Sequence, residues 1–348
     1  MLKGPNTPAE NLASLMDAIK ATPISDVGPI AIGHASDFTH YTGCTVILCE
    51  QGAVAGVEVR GLASGTRETD ALSTCHLVDK IHGLLLAGGS AFGLEAAAGV
   101  MDYLEEKGVG FQTTTGPVPI VPCAILYDLN FVSRLVRPNR AMGYAACLNA
   151  CAAPPQEGSV GAGTGATVGK LFGIERATKG GLGVACYQIP GTGVLVGALA
   201  AVNAFGDILD RHTQKIIAGA RVAHDSHCFV GTAREMMRGI TRTDFANTHT
   251  ILGVIMTNAA LDKRGATILA RLASNGLVQV SSPASTTFDG DVVFALSVGN
   301  ISADINVLGV VAAEALSEAI NRGVRKANGF GILPSHLEIA SRQGAEQG

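Results

Sequence analysis

The chain has 348 residues, a formal net charge of −4 and 44 glycines, with 47% hydrophobic and 16% charged residues. That length can bury a large core as one big α/β domain or two smaller ones. The glycines follow no collagen period and gather in no low-complexity tract, which argues against fibrous and disordered classes. With no Trp, few aromatics and no run of like charge, a nucleic-acid surface is not expected. Every long apolar stretch is broken by Gly or polar residues short of a membrane span.

In chain order, Thr7-Pro8-Ala9-Glu10 reads as a capping box, followed by Leu12, Leu15, Met16 and Ile19 at helical spacing. This is an amphipathic surface helix without the apolar centre of a signal peptide, so a cytoplasmic location is expected. Gly43–Cys49 and Val54–Arg60 read as strands joined by a turn at Gln51-Gly52. Ser90 is a candidate cap for a helix running through Glu95, Met101 and Leu104 to Lys107, stopped by Gly108. Val194–Asn203 and Ile216–Gly219 suggest a strand pair, with Phe205–Arg211 between them.

Residues 221–247 are rich in charge and weak in periodicity, which predicts a mobile linker. A strongly apolar strand, Thr250–Met256, follows at once. After it come a helix over 261–274, a strand Asp291–Val298 and an Ala-rich helix from Val307 to Arg325. The eight cysteines include no Cys-x-x-Cys pair and are expected to be reduced and to pack as small hydrophobes. His224-x-x-His227-Cys228 lacks a second ligand pair and reads as a polar loop. Gly161-Ala162-Gly163 with Ala166 only loosely matches a dinucleotide fingerprint. Gly169-Lys170-Leu171 fails the phosphate-loop pattern, because no Ser or Thr follows the lysine.

A polar linker that runs directly into a buried strand places Asn247-Thr248 at the join. Taken alone the dipeptide is an ordinary start to a strand. Its chemistry nevertheless suits self-cleavage. A Thr hydroxyl attacks the preceding carbonyl, an N-to-O acyl shift gives an ester, and water releases the upstream chain. The new α-amine, with a pKa of about 7.7–8.0, can then act as base for its own side chain.

Further segments give that join a context. They are Gly33-His34 to Gly43-Cys44-Thr45-Val46, Leu86-Ala87-Gly88-Gly89-Ser90-Ala91-Phe92-Gly93-Leu94-Glu95, Ala124-Ile125-Leu126-Tyr127-Asp128, and Gly161-Ala162-Gly163 to Gly169-Lys170. Val202-Asn203, Asn247-Thr248, and Phe288-Asp289-Gly290-Asp291 with Phe294-Ala295 complete the series. In that order and at those separations, the chain resembles the L-aminopeptidase/D-esterase family (peptidase S58) over nearly its whole length. That family includes β-peptidyl aminopeptidases, 6-aminohexanoate-oligomer hydrolase and a pantetheine hydrolase.

The resemblance implies an α/β fold in four layers, αββα, with two mainly antiparallel sheets and a connectivity distinct from the proteasome-like group. It implies one domain built from two peptides, 1–247 and 248–348, and a homo-oligomer of such pairs, a tetramer. The substrate is a small amide, peptide or ester; no metal or organic cofactor, nucleic acid or membrane is required. The roles carry over by position. Thr248 is the nucleophile and Asn203 an oxyanion donor. Tyr127 lines the site, Lys170 lies beside the nucleophile, and Thr287 with Asp289 holds the α-amine.

From the residues alone, Lys170 reads as a solvated lysine, Tyr127-Asp128 as a core Tyr with a capping Asp, and Asn203 as a turn residue. Asp291 reads as a structural support for Asp289. Gly88-Gly89 either offers backbone N–H groups to an anion or simply packs closely. The aminopeptidase branch more often has Ser, Ser and Glu where this chain has Thr248, Thr287 and Asp289, so substrate class stays open. His249 faces either the pocket mouth or the opposite side of its strand. Two other readings compete: an acyltransferase of the ornithine/glutamate N-acetyl-exchange type, and an unprocessed, non-catalytic chain.

Overall fold

The structure is a computed structural model and describes residues 20–241 and 249–345. Strand β1 spans Ala31–Asp37 and leads into β2, a long strand over Thr42–Val59. The turn expected at Gln51-Gly52 is instead a bulge. Gly52 sits at φ +81°, and the ladder to the next strand slips between Leu48 and Ala53 while the chain runs on. A glycine in left-handed conformation serves either device, so the sequence pattern does not separate them.

Strand β3 (Lys80–Ala87) precedes a 3-10 turn over Ser90–Glu95 and helix α1 (Ala96–Glu106). The helix therefore starts five residues later than expected, since Ser90 itself has φ +55° and opens the 3-10 turn instead. Strand β4 is Cys123–Ile125 and helix α2 is Arg140–Leu148, capped by the Asn139 side chain. Next come β5 (Gly181–Gln188), β6 (Leu195–Asn203) and β7 (Thr250–Ala259). Helix α3 (Lys263–Val280), β8 (Val292–Ile301) and helix α4 (Ile305–Arg325) follow.

One hydrogen-bonded path of strands runs Lys20–Ala21, β5, β6, β7, β8, β2, β3, β4, Thr66–Arg67, with β1 beside β2. Most pairs are antiparallel, while β7/β8 and β3/β4 are parallel. The two sheets expected from the resemblance are thus two arms of one ladder, joined through the bulged strand β2. Its first half pairs with β1 and β3, and its second half pairs with β8.

Alternation along the strands sorts side chains into three cores. Ile47, Leu84 and Leu86 of one arm share a core with Leu199, Leu252, Val254, Met256, Phe294 and Leu296 of the other. The intervening residues Val202, Ile251, Ile255, Val293 and Ala295 pack with Leu269, Leu277, Leu316 and Ile320 from α3 and α4. Val46, Leu48 and Leu85 pack with Val100 and Leu104 of α1 and Ala146 of α2. Period-2 strands here meet helices on their outer faces.

Two expectations need correction. Strand β6 pairs with β5 and β7, while Ile216–Ala218 pairs with Asp207–Leu209. The mobile linker does not hold for residues 221–241. Arg221 is 2% accessible and donates to the carbonyls of Glu175 (2.6 Å), Ala177 (3.2 Å), Ser226 (3.3 Å) and His224. A guanidinium has five N–H donors, and backbone carbonyls replace water around this one. Thr232 opens a short helix, Thr232–Met237, and donates its hydroxyl to buried Asp207 at 2.7 Å.

The remaining cysteine expectation is partly met. Cys44, Cys49, Cys123, Cys147 and Cys186 are buried, whereas Cys75, Cys151 and Cys228 are exposed, and all are free. The N-terminal capping box and its helix lie outside the described residues. Among the described residues, no helix is long and apolar enough to cross a membrane.

Candidate active site

Asn203 is the last residue of β6, and its Cα partner across the ladder is Thr250, the first residue of β7. The end of one buried strand therefore lies beside the point where the chain arrives after the Asn247-Thr248 join. Asn247 and Thr248 themselves lie outside the described residues. His249 donates its backbone N–H to the Phe288 carbonyl at 2.8 Å, and Gly290 N–H donates to the His249 carbonyl at 2.5 Å. Segment 288–290 thus runs parallel to the start of β7, bridging His249 to Asp289.

The Asn203 side chain is wholly buried and held at both ends. Its Oδ1 accepts from Lys170 Nζ at 2.7 Å and from Thr167 N–H at 3.0 Å. Its Nδ2 donates to the Tyr127 carbonyl at 3.0 Å. An amide carries two N–H donors, so one remains without a partner among the described residues. Lys170 is 1% accessible, with a second bond from Nζ to the Asn203 backbone carbonyl at 2.9 Å, and is not a solvated lysine.

Two carboxylates lie on the other side of β7. Asp289 accepts from Thr286 Oγ1 at 2.7 Å, from Thr286 N–H at 2.9 Å and from Phe205 N–H at 3.4 Å. Burial raises its pKa, and the Thr286 bonds and the Lys170 charge oppose that rise. Asp291 accepts from Ile251 N–H at 2.8 Å and from the Ser285 N–H and hydroxyl at 3.1 and 3.2 Å. Burial, and then the charge of Asp289, pushes Asp291 up to about 7.

The structure brings Asn203, Lys170, Asp289 and the Tyr127 main chain to one place. The Tyr127 ring belongs to a half-buried residue. Thr287 is exposed, and Thr286 makes the hydroxyl contact to Asp289. The signal for Thr286 was present: a Thr three residues before an Asp is the side-chain-to-backbone pairing seen at capping boxes. Asp291 was read as a support. It is also the electrostatic partner of Asp289, and its carboxylate fixes the first residues of β7.

Two open alternatives can be placed. The Gly89 N–H is engaged by Asp128 Oδ1 at 2.7 Å, and Thr42 Oγ1 donates to Asp128 Oδ2 at 2.7 Å, so Asp128 caps that turn. The imidazole of His249 is fully buried and lies against the Phe205 ring, 5.3 Å between centroids. Among the described residues, no group of His, Cys, Asp and Glu is arranged to hold a metal ion. A buried amide donor, a buried ammonium and two protonatable carboxyls around a strand start can stabilise an oxyanion and steer protons during acyl transfer.

Comparison with known proteins gives the family and the fold. The sequence model of Peptidase family S58 matches residues 22–333. An uncharacterized aminopeptidase of Mycobacterium tuberculosis is 36% identical over 91% of this chain and 97% of its own length. A 6-aminohexanoate-oligomer endohydrolase of a Kocuria species is 28% identical over 91% of this chain and 90% of its own. Among solved structures, the L-aminopeptidase D-Ala-esterase/amidase of Ochrobactrum anthropi superposes with a TM-score of 0.68 at 18% identity. It covers 92% of this chain and 94% of that one. A Burkholderia beta-aminopeptidase gives a TM-score of 0.66 at 21% identity, covering 94% and 95%. The fold is therefore a mixed α/β fold similar to the Ntn-hydrolase variant described for the Ochrobactrum enzyme.

Proposed function

Because this chain belongs to Peptidase family S58, we propose that it is a self-cleaving amide hydrolase whose nucleophile is Thr248. The observation that carries this reading is the doubly anchored Asn203 amide beside the start of β7, with one N–H left over. Chain cleavage between Asn247 and Thr248 supplies an α-amine at the same place. The 1–247 and 248–348 peptides then remain interleaved in one domain, since β6 and β7 are adjacent strands.

In the reaction, the α-amine of Thr248 takes the hydroxyl proton as Oγ1 attacks the substrate carbonyl. The developing oxyanion accepts the free N–H of Asn203, and the phenol of Tyr127 lines the same space. The proton passes to the leaving amine, an ester to Thr248 remains, and water repeats the sequence in reverse. Lys170 fixes the Asn203 carbonyl oxygen and adds positive charge, which favours a neutral α-amine. Asp289, held by the Thr286 N–H and hydroxyl, orients that amine.

Small amides, peptides or esters are the proposed substrates. The names of the relatives support this class without choosing within it. The αββα layering is proposed on the three separate cores, the inner one shared by the two arms of the ladder. A tetramer of processed pairs and a cytoplasmic location are carried as proposals from the resemblance and the sequence. Light scattering tests the first and fractionation of the source cell tests the second.

The decisive experiment is denaturing electrophoresis with N-terminal sequencing of active protein. Two fragments of about 25 and about 10 kDa are expected from 247 and 101 residues, the smaller beginning Thr-His-Thr-Ile. Thr248→Ala should remain one inactive chain. An intact 35.5 kDa chain in fully active material would overturn the mechanism.

A further inference from the structure

The Asn203 side-chain oxygen is held by two residues fixed in different ways, and the Thr167 hydroxyl, at 3.4 Å, adds to that residue's main-chain contact. One is the Lys170 ammonium itself. The other is the backbone N–H of Thr167, a main-chain group that has to be kept in place by something else. Thr167 lies in a two-residue ladder whose register sets it directly across from Lys179. Lys179 is wholly buried, and nothing in the reaction described above uses it.

The Lys179 ammonium points back at the loop that delivers Thr167. It donates to the carbonyls of Gly163 at 3.0 Å, Ala166 at 2.8 Å and Gly180 at 2.8 Å. Three N–H donors meet three carbonyl acceptors, so the group is saturated as a cation. The rings of Phe131 and Phe330 lie 5.5 and 5.9 Å from Nζ, closing the remaining sides with negative π faces. Gly180 N–H also donates to the Ala166 carbonyl at 2.9 Å, tying the same loop from the main chain. Removing the ammonium takes one donor from the Gly163 and Ala166 carbonyls, which lead into Thr167, and one from Gly180, and leaves that loop held by main-chain bonds alone.

We infer that Lys179 is a positioning residue for the oxyanion donor: its ammonium fixes the Gly163–Ala166 carbonyls, these fix the Thr167 N–H, and that N–H aims the Asn203 amide. The inference rests on the proposed role of Asn203. Burial pushes the Lys179 ammonium down to about 7, with the Asp128 charge opposing. Lys170 and Lys179 then divide one task, the first by direct contact and the second through a loop.

The test is Lys179→Met, nearly isosteric and without donors, together with Lys179→Gln, which keeps two. Steady-state rates are normalised to active sites titrated by an acyl burst, so that loss of folded protein does not enter kcat. The expected result is a kcat per titrated site reduced about tenfold or more in Lys179→Met, with KM within about twofold and a smaller fall in Lys179→Gln. A purely structural role would lower the melting temperature and leave kcat per site unchanged, and that outcome overturns the inference. So does failure of both variants to fold, which would assign Lys179 to folding alone. The two readings fail separately. A wild-type protein with no fragments and no burst removes Thr248 as nucleophile, whereas a bursting wild type with an unaltered Lys179→Met removes only Lys179.

Discussion

The slab formed by β6, β7 and β8 under α3 and α4 differs in kind from the strip at its end, where residues 161–179, 203–205 and 285–291 meet. In the slab, backbone ladders satisfy the main chain and apolar side chains fill the space between. In the strip, side chains carry the hydrogen bonding: Lys170, Lys179, Asn203, Asp289 and Asp291 are all buried and all bonded to main-chain groups. The slab is stable through area removed from water. The strip holds polar groups out of water at fixed positions, as a site for charge development requires. Damage to the two should therefore appear in different measurements.

The largest separation is expected at Asn203. Asn203→Ala should lower kcat by a factor of about 10²–10³ with a much smaller change in KM, read by steady-state kinetics on the processed enzyme. An unaltered kcat would remove Asn203 from the oxyanion role. Leu316→Ala is the counterpart in the slab. It should cost about 2–5 kcal/mol of stability by denaturant unfolding, with kcat per folded molecule preserved. A large loss of kcat there would mean that the slab and the strip are not separable.

A finer distinction lies within the strip. Thr286→Val keeps the backbone N–H to Asp289 and removes the hydroxyl, a hydrogen bond to a charged group worth about 1.5–3 kcal/mol, so kcat should fall about tenfold or more. The same change at exposed Thr287 should have the smaller effect. The reverse order would return the hydroxyl role to Thr287.

The smallest effect concerns pH. The Asp291 carboxyl has a folded pKa raised to about 7 against an unfolded value of about 3.9, so the folded state binds this proton more tightly. Its contribution is full below the unfolded value and is lost as pH rises through the folded value. Across pH 4 to 7, the melting temperature of the wild type should therefore fall by a few degrees relative to Asp291→Asn. Parallel curves for the two proteins would show that Asp291 titrates alike in both states.

The slab was largely legible in the sequence. Its strands and the α4 helix carry long apolar patterns, and those elements are found within a few residues of their expected bounds. Strand β5 was not legible. Gly183 sits in it because a Cβ there would meet the Ala319 carbonyl at 2.2 Å, so close helix packing replaced the apolar pattern that marks a strand. The strip was readable only through the resemblance. That likeness named Asn203, Lys170, Tyr127, Thr287 and Asp289; it did not name Thr286, whose hydroxyl bonds Asp289, and the residues alone read Asp291 as a support. Lys179 gave no signal, since a lysine in a chain of polar and small residues looks like any solvated one.

Composition, periodicity and motif order by themselves determined a mixed α/β chain, its apolar strands and Ala-rich helix, and the family to which those motifs belong. The elements follow from local propensity and side-chain alternation, both written residue by residue, and the family follows from the likeness of the motifs. Tertiary structure alone decided which strands adjoin, that β2 carries both arms of the ladder, and which polar side chains are sealed from water. Burial and hydrogen-bond partners depend on what the rest of the chain brings alongside. A lysine's identity is fixed by the sequence, but the three carbonyls around Lys179 exist only once the loop, the ladder and the two aromatic rings have closed over it.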